Sequence, residues 1–126
     1  MGKWQRKHLK AIEVNYAKAP YYKEIMEWLE PLYMTDEVSL SNINKSFIIS
    51  ICDYLGINTV FTDSSDYEFI GDKTERLVNI CRQAGGTEYV SGKLAMDYID
   101  PDKFDDIKLT WFEYDNYPEY PQMCGS

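Results

Sequence analysis

Histidine and cysteine are scarce in this chain of 126 residues. The single histidine, His8, lies in a basic leader, so a histidine-rich metal site or a Ser-His-Asp triad is not expected. The acidic residues lack the spacing of a calcium-binding loop. The cysteines are odd in number and far apart, which favours buried, reduced thiols over disulfides. The sequence therefore predicts no metal and no cofactor.

Long apolar runs and basic residues are also few. Because no apolar run approaches a membrane span and the start lacks a signal-peptide core, we expect a cytoplasmic protein without membrane insertion. Only 13 basic residues stand against 21 acidic ones, so the formal net charge of −8 argues against a nucleic-acid partner. The one basic cluster is more typical of a solvated tail or helix face than of a phosphate site, and it comprises Lys3, Arg6, Lys7 and Lys10.

What the sequence does contain is typical of one globular domain. Hydrophobic residues make up 44% of the chain and aromatic residues 15%. A chain of this length can bury a core without disulfides or metals. We therefore expect a single domain over residues 1–126, with a basic leader at 1–10 and an extended tail at 115–126.

Three segments have the periodicity of amphipathic helices, with apolar residues three or four positions apart. Proline, serine and glycine mark their boundaries because these residues favour helix starts, caps and stops. The predicted helices run from Pro20 to about Glu30, where Pro31 ends or kinks the chain, from Ser39 or Ser41 to Gly56, and from Lys73 to Gly85.

Four β-rich segments, at 11–15, 57–63, 87–91 and 107–114, predict strands. Helices separate most of them, which favours right-handed crossovers and parallel strands. The predicted fold is therefore α/β, with three layers: a mostly parallel sheet of about four strands and helices on both faces, as in Rossmann-like proteins.

Polar residues follow two of the predicted strands. Ser64 and Ser65 come after one, and Ser91 and Gly92 end the next. In open α/β sheets, ligands bind outside the carboxyl ends of the strands, so these residues are candidates for a ligand site. Alternatively, Ser64 and Ser65 form a simple serine turn, in which their hydroxyls bond the neighbouring backbone.

The helix start Gly71-Asp72-Lys73-Thr74 suggests an anion site, because a helix N-terminus and a lysine both attract phosphate. It is not a Walker loop, since Asp72 separates the glycine from the lysine. Alternatively, Asp72 or Thr74 caps the helix, and Lys73 and Arg76 are solvated charges. Glu75 is the best candidate for a general base, or else a partner in an ion pair.

These segments together resemble the WbqC-like family of bacterial proteins. The resemblance rests on Ser64-Ser65, on the helix start from Gly71 to Leu77, and on Tyr89-Val90-Ser91-Gly92. It extends over nearly the whole chain, through Asn15-Tyr16, Lys18-Ala19-Pro20-Tyr21-Tyr22, Asp97-Tyr98-Ile99-Asp100, Phe104 and Tyr120-Pro121-Gln122.

The resemblance implies a role in O-antigen or other surface-polysaccharide biosynthesis. The expected ligand is a nucleotide-activated sugar or acyl donor, and the expected reaction, if the chain is an enzyme, is group transfer onto a sugar by a transferase. Glu75 would order the cations or act as the base. The other candidate ligand residues are Asn15, Tyr16, Ser64, Ser65, Lys73, Thr74, Arg76, Ser91, Gly92 and Tyr98.

Two departures from the family pattern support an alternative. The family fold extends beyond both ends of this chain, which implies a partial copy. Lys93 and Met96 replace a proline and a lysine of the family pattern. The chain would then be a noncatalytic fragment or binding module that needs a missing segment, a partner chain or a second copy of itself.

Overall fold

The computed structural model describes residues 2–115 and 117–121. The chain divides into two compact units: a helical unit, residues 1–60 with 120–126, and an α/β unit, residues 61–119. Part of the predicted extended tail, including Gln122 and Cys124, lies outside the described residues.

Cys52 and Cys81 are free, half-buried thiols. Within the described ranges, no helix is long and apolar enough to cross a membrane. The expectation of one domain stays a prediction.

The helical unit contains α1 (Lys3–Tyr16), α2 (Tyr22–Tyr33) and α3 (Leu40–Tyr54). The Ser39 hydroxyl accepts a hydrogen bond from the Asn42 N–H at 3.4 Å and caps α3. Gly56 follows α3 with a φ of +70°, a conformation that glycine adopts without strain. Both ends of the predicted second helix are therefore confirmed.

Two predictions in this unit are wrong. Residues 11–15 belong to α1 and not to a strand, because the inward-facing residues Gln5, Leu9 and Ile12 follow helical spacing, whereas Val14 is 70% exposed. The second helix continues past Glu30 to Tyr33. Pro31 lies in its last turn, where the missing N–H removes only one bond of the helix.

The α/β unit contains α4 (Lys73–Gln83), β1 (Glu88–Gly92) and β2 (Lys108–Phe112). The strands pair in parallel, with Glu88 opposite Lys108 and Gly92 opposite Phe112. Between them the chain forms two short 3-10 helices, Lys93–Asp97 and Pro101–Lys103. The buried core under the strands consists of Val78, Ala95, Ile99, Phe104 and Ile107.

The predicted sheet is larger than the one found. Parallel pairing and a mixed α/β structure are confirmed, but the described residues form two strands rather than four, and no Rossmann-like sheet. Residues 57–63 have the composition of a strand but form none. Ile57 and Val60 in this segment are 45% and 85% exposed, so the apolar side chains that suggested a strand gain little burial where they lie.

Candidate functional site

The start of α4 is organised by two carboxylates. Asp72 Oδ1 accepts hydrogen bonds from the N–H groups of Thr74 and Glu75, at 2.9 and 3.0 Å. In return, Glu75 Oε2 accepts the Asp72 N–H at 2.8 Å, which completes a capping box. The Asp72 carboxylate therefore occupies the place where a phosphate would meet these two amides. The expectation that Asp72 caps this helix is confirmed.

Lys103 contacts both capping carboxylates. Its ammonium group forms an ion pair with Asp72 and lies 3.4 Å from Glu75 Oε1. The hydrogen bond from Lys103, followed by the backbone N–H donors, lowers the pKa of Asp72, and the same contact raises the pKa of Lys103. Both oxygens of Glu75 are therefore engaged, one by the Asp72 N–H and one by Lys103.

Thr74 is a buried anchor, with 4% of its surface exposed. Its Oγ1 accepts the N–H of Asp100 at 3.2 Å. Asp100 in turn caps the 3-10 helix that carries Lys103. The Thr74 hydroxyl thus joins the two segments whose charges meet at the start of α4, and its contact with a ligand stays a prediction.

The loop before α4 is fastened along the helix. Gln83 bonds both backbone groups of Glu68, at 3.0 and 2.9 Å, and Asn79 donates to the Ile70 carbonyl at 3.4 Å. Gly71 closes the loop with a φ of +82°. A Cβ at this position would lie 2.6 Å from the Glu75 Cβ, so the loop can approach the capping box only through a glycine.

Lys73 and Arg76 lie one turn apart on the exposed face of α4. The Arg76 guanidinium lies over the Phe69 ring, 5.4 Å from its centroid, in a cation–π arrangement. Among the described residues, no ion pair or hydrogen bond involves the Lys73 ammonium group. This cation is therefore available to an anionic ligand.

Ser64 and Ser65 form a 3-10 turn, Ser64–Asp66, instead of following a strand. The Asp63 carboxylate accepts both the N–H and the hydroxyl of Ser65, at 3.0 and 2.8 Å. In the described part of the chain, the Ser64 hydroxyl has no hydrogen bond, and none links this turn to Lys73. The serine-turn explanation accounts for Ser65.

Ser91 and Gly92 do end a parallel strand, as expected, and Ser91 is half-buried. No neighbouring atom lies within 4 Å of a Cβ added to Gly92, so the space around it is open. Lys93 follows and forms ion pairs with Asp115 and Glu113, at 3.2 and 3.3 Å, which raise its pKa.

The remaining predicted ligand residues are Asn15, Tyr16 and Tyr98. Asn15 and Tyr16 belong to the helical unit, in the last turn of α1. The Asn15 amide donates to the Ala11 carbonyl at 2.7 Å, as a helix-surface side chain does. Tyr98 lies in the α/β unit and is 61% exposed. No cluster of three or more potential metal ligands occurs among the residues described.

The sequence matches one known family over the whole length of this chain. The WbqC-like protein family matches residues 1–126. The chain belongs to this family. This confirms the resemblance drawn from the serine pair, the α4 start and the β1 end.

A protein from Mycobacterium tuberculosis, "Uncharacterized protein Rv1507c", is 46% identical to this chain over 125 residues. The alignment covers 97% of this chain and 54% of the relative, so the chain spans about half of the relative's length. No solved structure matches. These comparisons name no ligand, and the ligand residues and the catalytic role of Glu75 stay predictions.

Two residues near Lys73 were missed by sequence reasoning. Lys103 lies 31 positions after Asp72, with no periodic pattern to connect them, and the Thr74–Asp100 bond together with the shared core of Val78 and Phe104 brings it close. Phe69 precedes Arg76 by seven positions in a loop. An aromatic residue among polar loop residues was the one available signal for Phe69.

Proposed function

We propose that the α/β unit binds the phosphate of a nucleotide-activated sugar or acyl donor through Lys73 and Arg76. The role is in surface-polysaccharide biosynthesis, such as that of O-antigen, and the reaction is group transfer onto a sugar. The observation that carries the proposal is the unpaired Lys73 ammonium group beside Arg76. A phosphate oxygen accepts strong, charge-assisted hydrogen bonds from both of these groups.

The charge pattern of the unit supports Lys73 as the phosphate ligand. Most of the other cations of this unit already have carboxylate partners, so their charges are largely balanced. Those pairs are Arg82 with Asp106, Lys93 with Asp115, Lys103 with Asp72, and Lys108 with Glu88. Arg76 contacts an aromatic ring and no carboxylate among the described residues, so its positive charge is not balanced either.

The remaining predicted residues supply neutral polar groups. Ser64 offers a hydroxyl without a partner in the described structure, and Gly92 leaves open space at the end of β1. Hydroxyls of a sugar would be oriented by Ser64, Ser65 and Ser91. Glu75 orders the cation of Lys103 at the start of α4. It does not act as a general base in this proposal, because both of its oxygens are engaged and a general base needs one that is free.

The engagement of Glu75 also favours a second candidate function. Without a free base in this cluster, the unit can hold a phosphorylated ligand and leave the chemistry to a partner chain. This noncatalytic module binds the same ligands through Lys73 but forms no product when it is given a donor and a sugar acceptor. Assays of binding and of product formation therefore distinguish the two functions.

The proposal is tested with Lys73→Gln, which removes one charge from an exposed side chain. Amide NMR spectra are recorded while nucleotide-linked sugars are added to the labelled chain. We expect saturable shifts at Lys73, Arg76 and Ser91, and binding weakened about tenfold in the variant, as loss of one charge-assisted contact implies. Unchanged affinity in Lys73→Gln would contradict the phosphate site.

Lys108→Gln is the matched control, because Lys108 begins β2 at the opposite end of the strand pair and should not affect binding. Gly92→Ala is a second probe. Its added Cβ meets no atom within 4 Å, so the fold tolerates it, whereas a ligand approaching the backbone there would be displaced. Weakened binding without lost stability is the expected result for Gly92→Ala.

A further inference from the structure

The first helix has an exposed face of four cations, called here the basic face: Lys3, Arg6, Lys7 and Lys10. At 3.6 residues per turn, these positions fall within an arc of about 100°. Each is three or four residues from two of the others, so each cation has two like-charged neighbours. Such spacing disfavours the helix unless an anion is nearby.

Few ion pairs in the described part of the helical unit engage this charge. The first turn of α1 contains no acidic residue, although the start of a helix already carries partial positive charge. Glu13, the one acid in α1, forms an ion pair with Lys10 at 2.9 Å. Lys3, Arg6 and Lys7 have no ion pair anywhere in the described residues. In a chain with a formal net charge of −8, this concentration of unpaired cations points to an anionic ligand.

A cavity of about 500 Å³ lies in the same unit, and two of its wall residues belong to α1. Its walls include Trp4, His8, Tyr33 and Phe47. Their rings contact one another, with centroids 5.9 Å apart for Trp4 and Tyr33 and 4.8 Å apart for Tyr33 and Phe47. Small-molecule sites have this size and this largely aromatic lining.

The wall of the cavity is held in place before any ligand binds. Gln5 is only 4% exposed, and its amide donates to the Thr35 carbonyl at 2.9 Å while its oxygen accepts the Gly2 N–H. These bonds fix the start of α1 against the segment that leads to Val38, another residue of the wall. A preformed pocket loses less entropy when it binds a ligand.

The basic face and the cavity meet along α1. Lys7 follows Trp4 by three residues, which places their Cβ atoms about 5–6 Å apart. Lys3 and Lys7 are separated by one turn on the same side of α1, so their side chains can hold one anion between them, with Lys7 nearest the Trp4 ring. A ligand that uses both features must combine a flat apolar group with a negative charge.

We propose that this cavity is a binding site, separate from the α4 start, for a small molecule in which an aromatic ring carries a phosphate, as in a nucleoside monophosphate. The ring packs against Trp4 and Tyr33, and the Asn44 amide at the cavity offers hydrogen bonds to ring heteroatoms. The phosphate binds Lys3 and Lys7. A polyanion would need the basic face alone and would leave the aromatic cavity unexplained.

Three probes separate the contributions: 1-naphthyl phosphate, 1-naphthol and inorganic phosphate. Each is titrated into the labelled full chain and followed by amide NMR. We expect 1-naphthyl phosphate to shift Trp4, His8 and Phe47 and to bind at least about tenfold more tightly than either part alone. Equal affinity for 1-naphthol, or equal affinity for inorganic phosphate, would overturn the proposal.

Charge-matched variants then locate the anion. Lys3→Gln with Lys7→Gln removes two charges from the basic face, and Lys18→Gln with Lys23→Gln removes two exposed charges elsewhere in the helical unit. We expect the first pair to abolish the preference for the phosphate and the second pair to retain it. Equal effects would mean that net charge, and not this site, decides binding. Lys73→Gln should leave 1-naphthyl phosphate binding unchanged, so this site and the α4 site can fail independently.

Discussion

Helices α1 and α4 begin with the same pattern of capping hydrogen bonds, but the charges around the two helix starts differ. In each helix, the third residue reaches back to the N–H of the capping residue: Gln5 to Gly2, and Glu75 to Asp72. Each of these side chains also contacts a distant segment, the Thr35 carbonyl in one unit and Lys103 in the other. Both helices are thus fixed at their first turn to a chain segment about 30 positions away.

The difference between the two starts lies in charge and burial. Gln5 is buried and neutral, and the cations around it are unpaired, whereas Glu75 is exposed and balanced by Lys103. A buried position favours an amide because an amide needs no counter-ion, and an exposed one tolerates a carboxylate. The carboxylates at the α4 start thus share a cation from within the fold, whereas Lys3, Arg6 and Lys7 at the α1 start have no ion pair in the described residues.

The largest expected effect comes from exchanging the two residues. Gln5→Glu replaces a buried donor by an acceptor, so the Thr35 carbonyl loses its partner and faces a carboxylate. We expect the helical unit to lose about 1–3 kcal/mol of unfolding free energy. Glu75→Gln keeps the bond to the Asp72 N–H and weakens an exposed ion pair, which costs at most about 1 kcal/mol. Native-state hydrogen exchange of amides in α1 and α4 measures each loss separately.

Equal losses of unfolding free energy in the two variants would contradict this difference between the helix starts, because the two starts would then depend on charge to the same extent. Gln5→Met is a suitable further variant, since it keeps the length of the side chain and removes both of its bonds. Its loss should be at least that of Gln5→Glu, which keeps the bond from the Gly2 N–H, if the missing hydrogen bonds and not the new charge are responsible.

A smaller effect is expected from pH at the α4 start. Lys103, together with the backbone donors, lowers the pKa of Asp72 in the folded state. This stabilisation is fully present above the ordinary aspartate pKa of about 4 and is lost as the pH falls through the lowered value. The protection of the Val78 amide against hydrogen exchange, relative to the unfolded chain at the same pH, should therefore fall more steeply below about pH 4 in the wild type than in Asp72→Asn. The same slope in both proteins would show that Asp72 contributes nothing. The start of α1 has no such dependence, because Gln5 does not titrate.

The smallest effect concerns repulsion on the basic face. Lys7→Gln relieves like-charge contacts with Lys3 and Lys10, so we expect a gain of about 0.2–0.5 kcal/mol for each contact. Lys10→Gln is the control, since it also removes the ion pair with Glu13 and should give no net gain. Thermal unfolding in low and high salt measures both, and the gain should vanish in about 1 M salt, where charges are screened beyond about 3 Å. A gain that persists in high salt would exclude repulsion as its cause.

Helix caps were predictable because they depend on a few neighbouring residues. Ser39, Gly56 and Asp72 perform the expected roles with partners no more than five positions away. The parallel strands near 87–91 and 107–114 were also found. The strand predictions for 11–15 and 57–63 were wrong. In 11–15, the burial of one helix face outweighed the β-rich composition, and the described structure of 57–63 contains no paired strand.

For the candidate site, the sequence identified the α4 start but not its electrostatics. Lys73, Glu75 and Arg76 were singled out, yet their states depend on residues far along the chain or in a loop. Lys103 forms an ion pair with the Glu75 carboxylate, and the Phe69 ring contacts the Arg76 guanidinium. These contacts leave two carboxylates that share Lys103, and leave Lys73 and Arg76 without a carboxylate partner in the described residues.

The sequence by itself determined the family, the mixed class of the fold, the helix caps and the positions of the candidate residues. These follow from short-range patterns, since propensity and capping involve residues within one or two turns. Only the tertiary structure decided which cations are paired and that a basic face adjoins an aromatic cavity. Such choices depend on contacts between residues about 30 positions apart, where the free energy of folding, and not local spacing, brings charges and rings together.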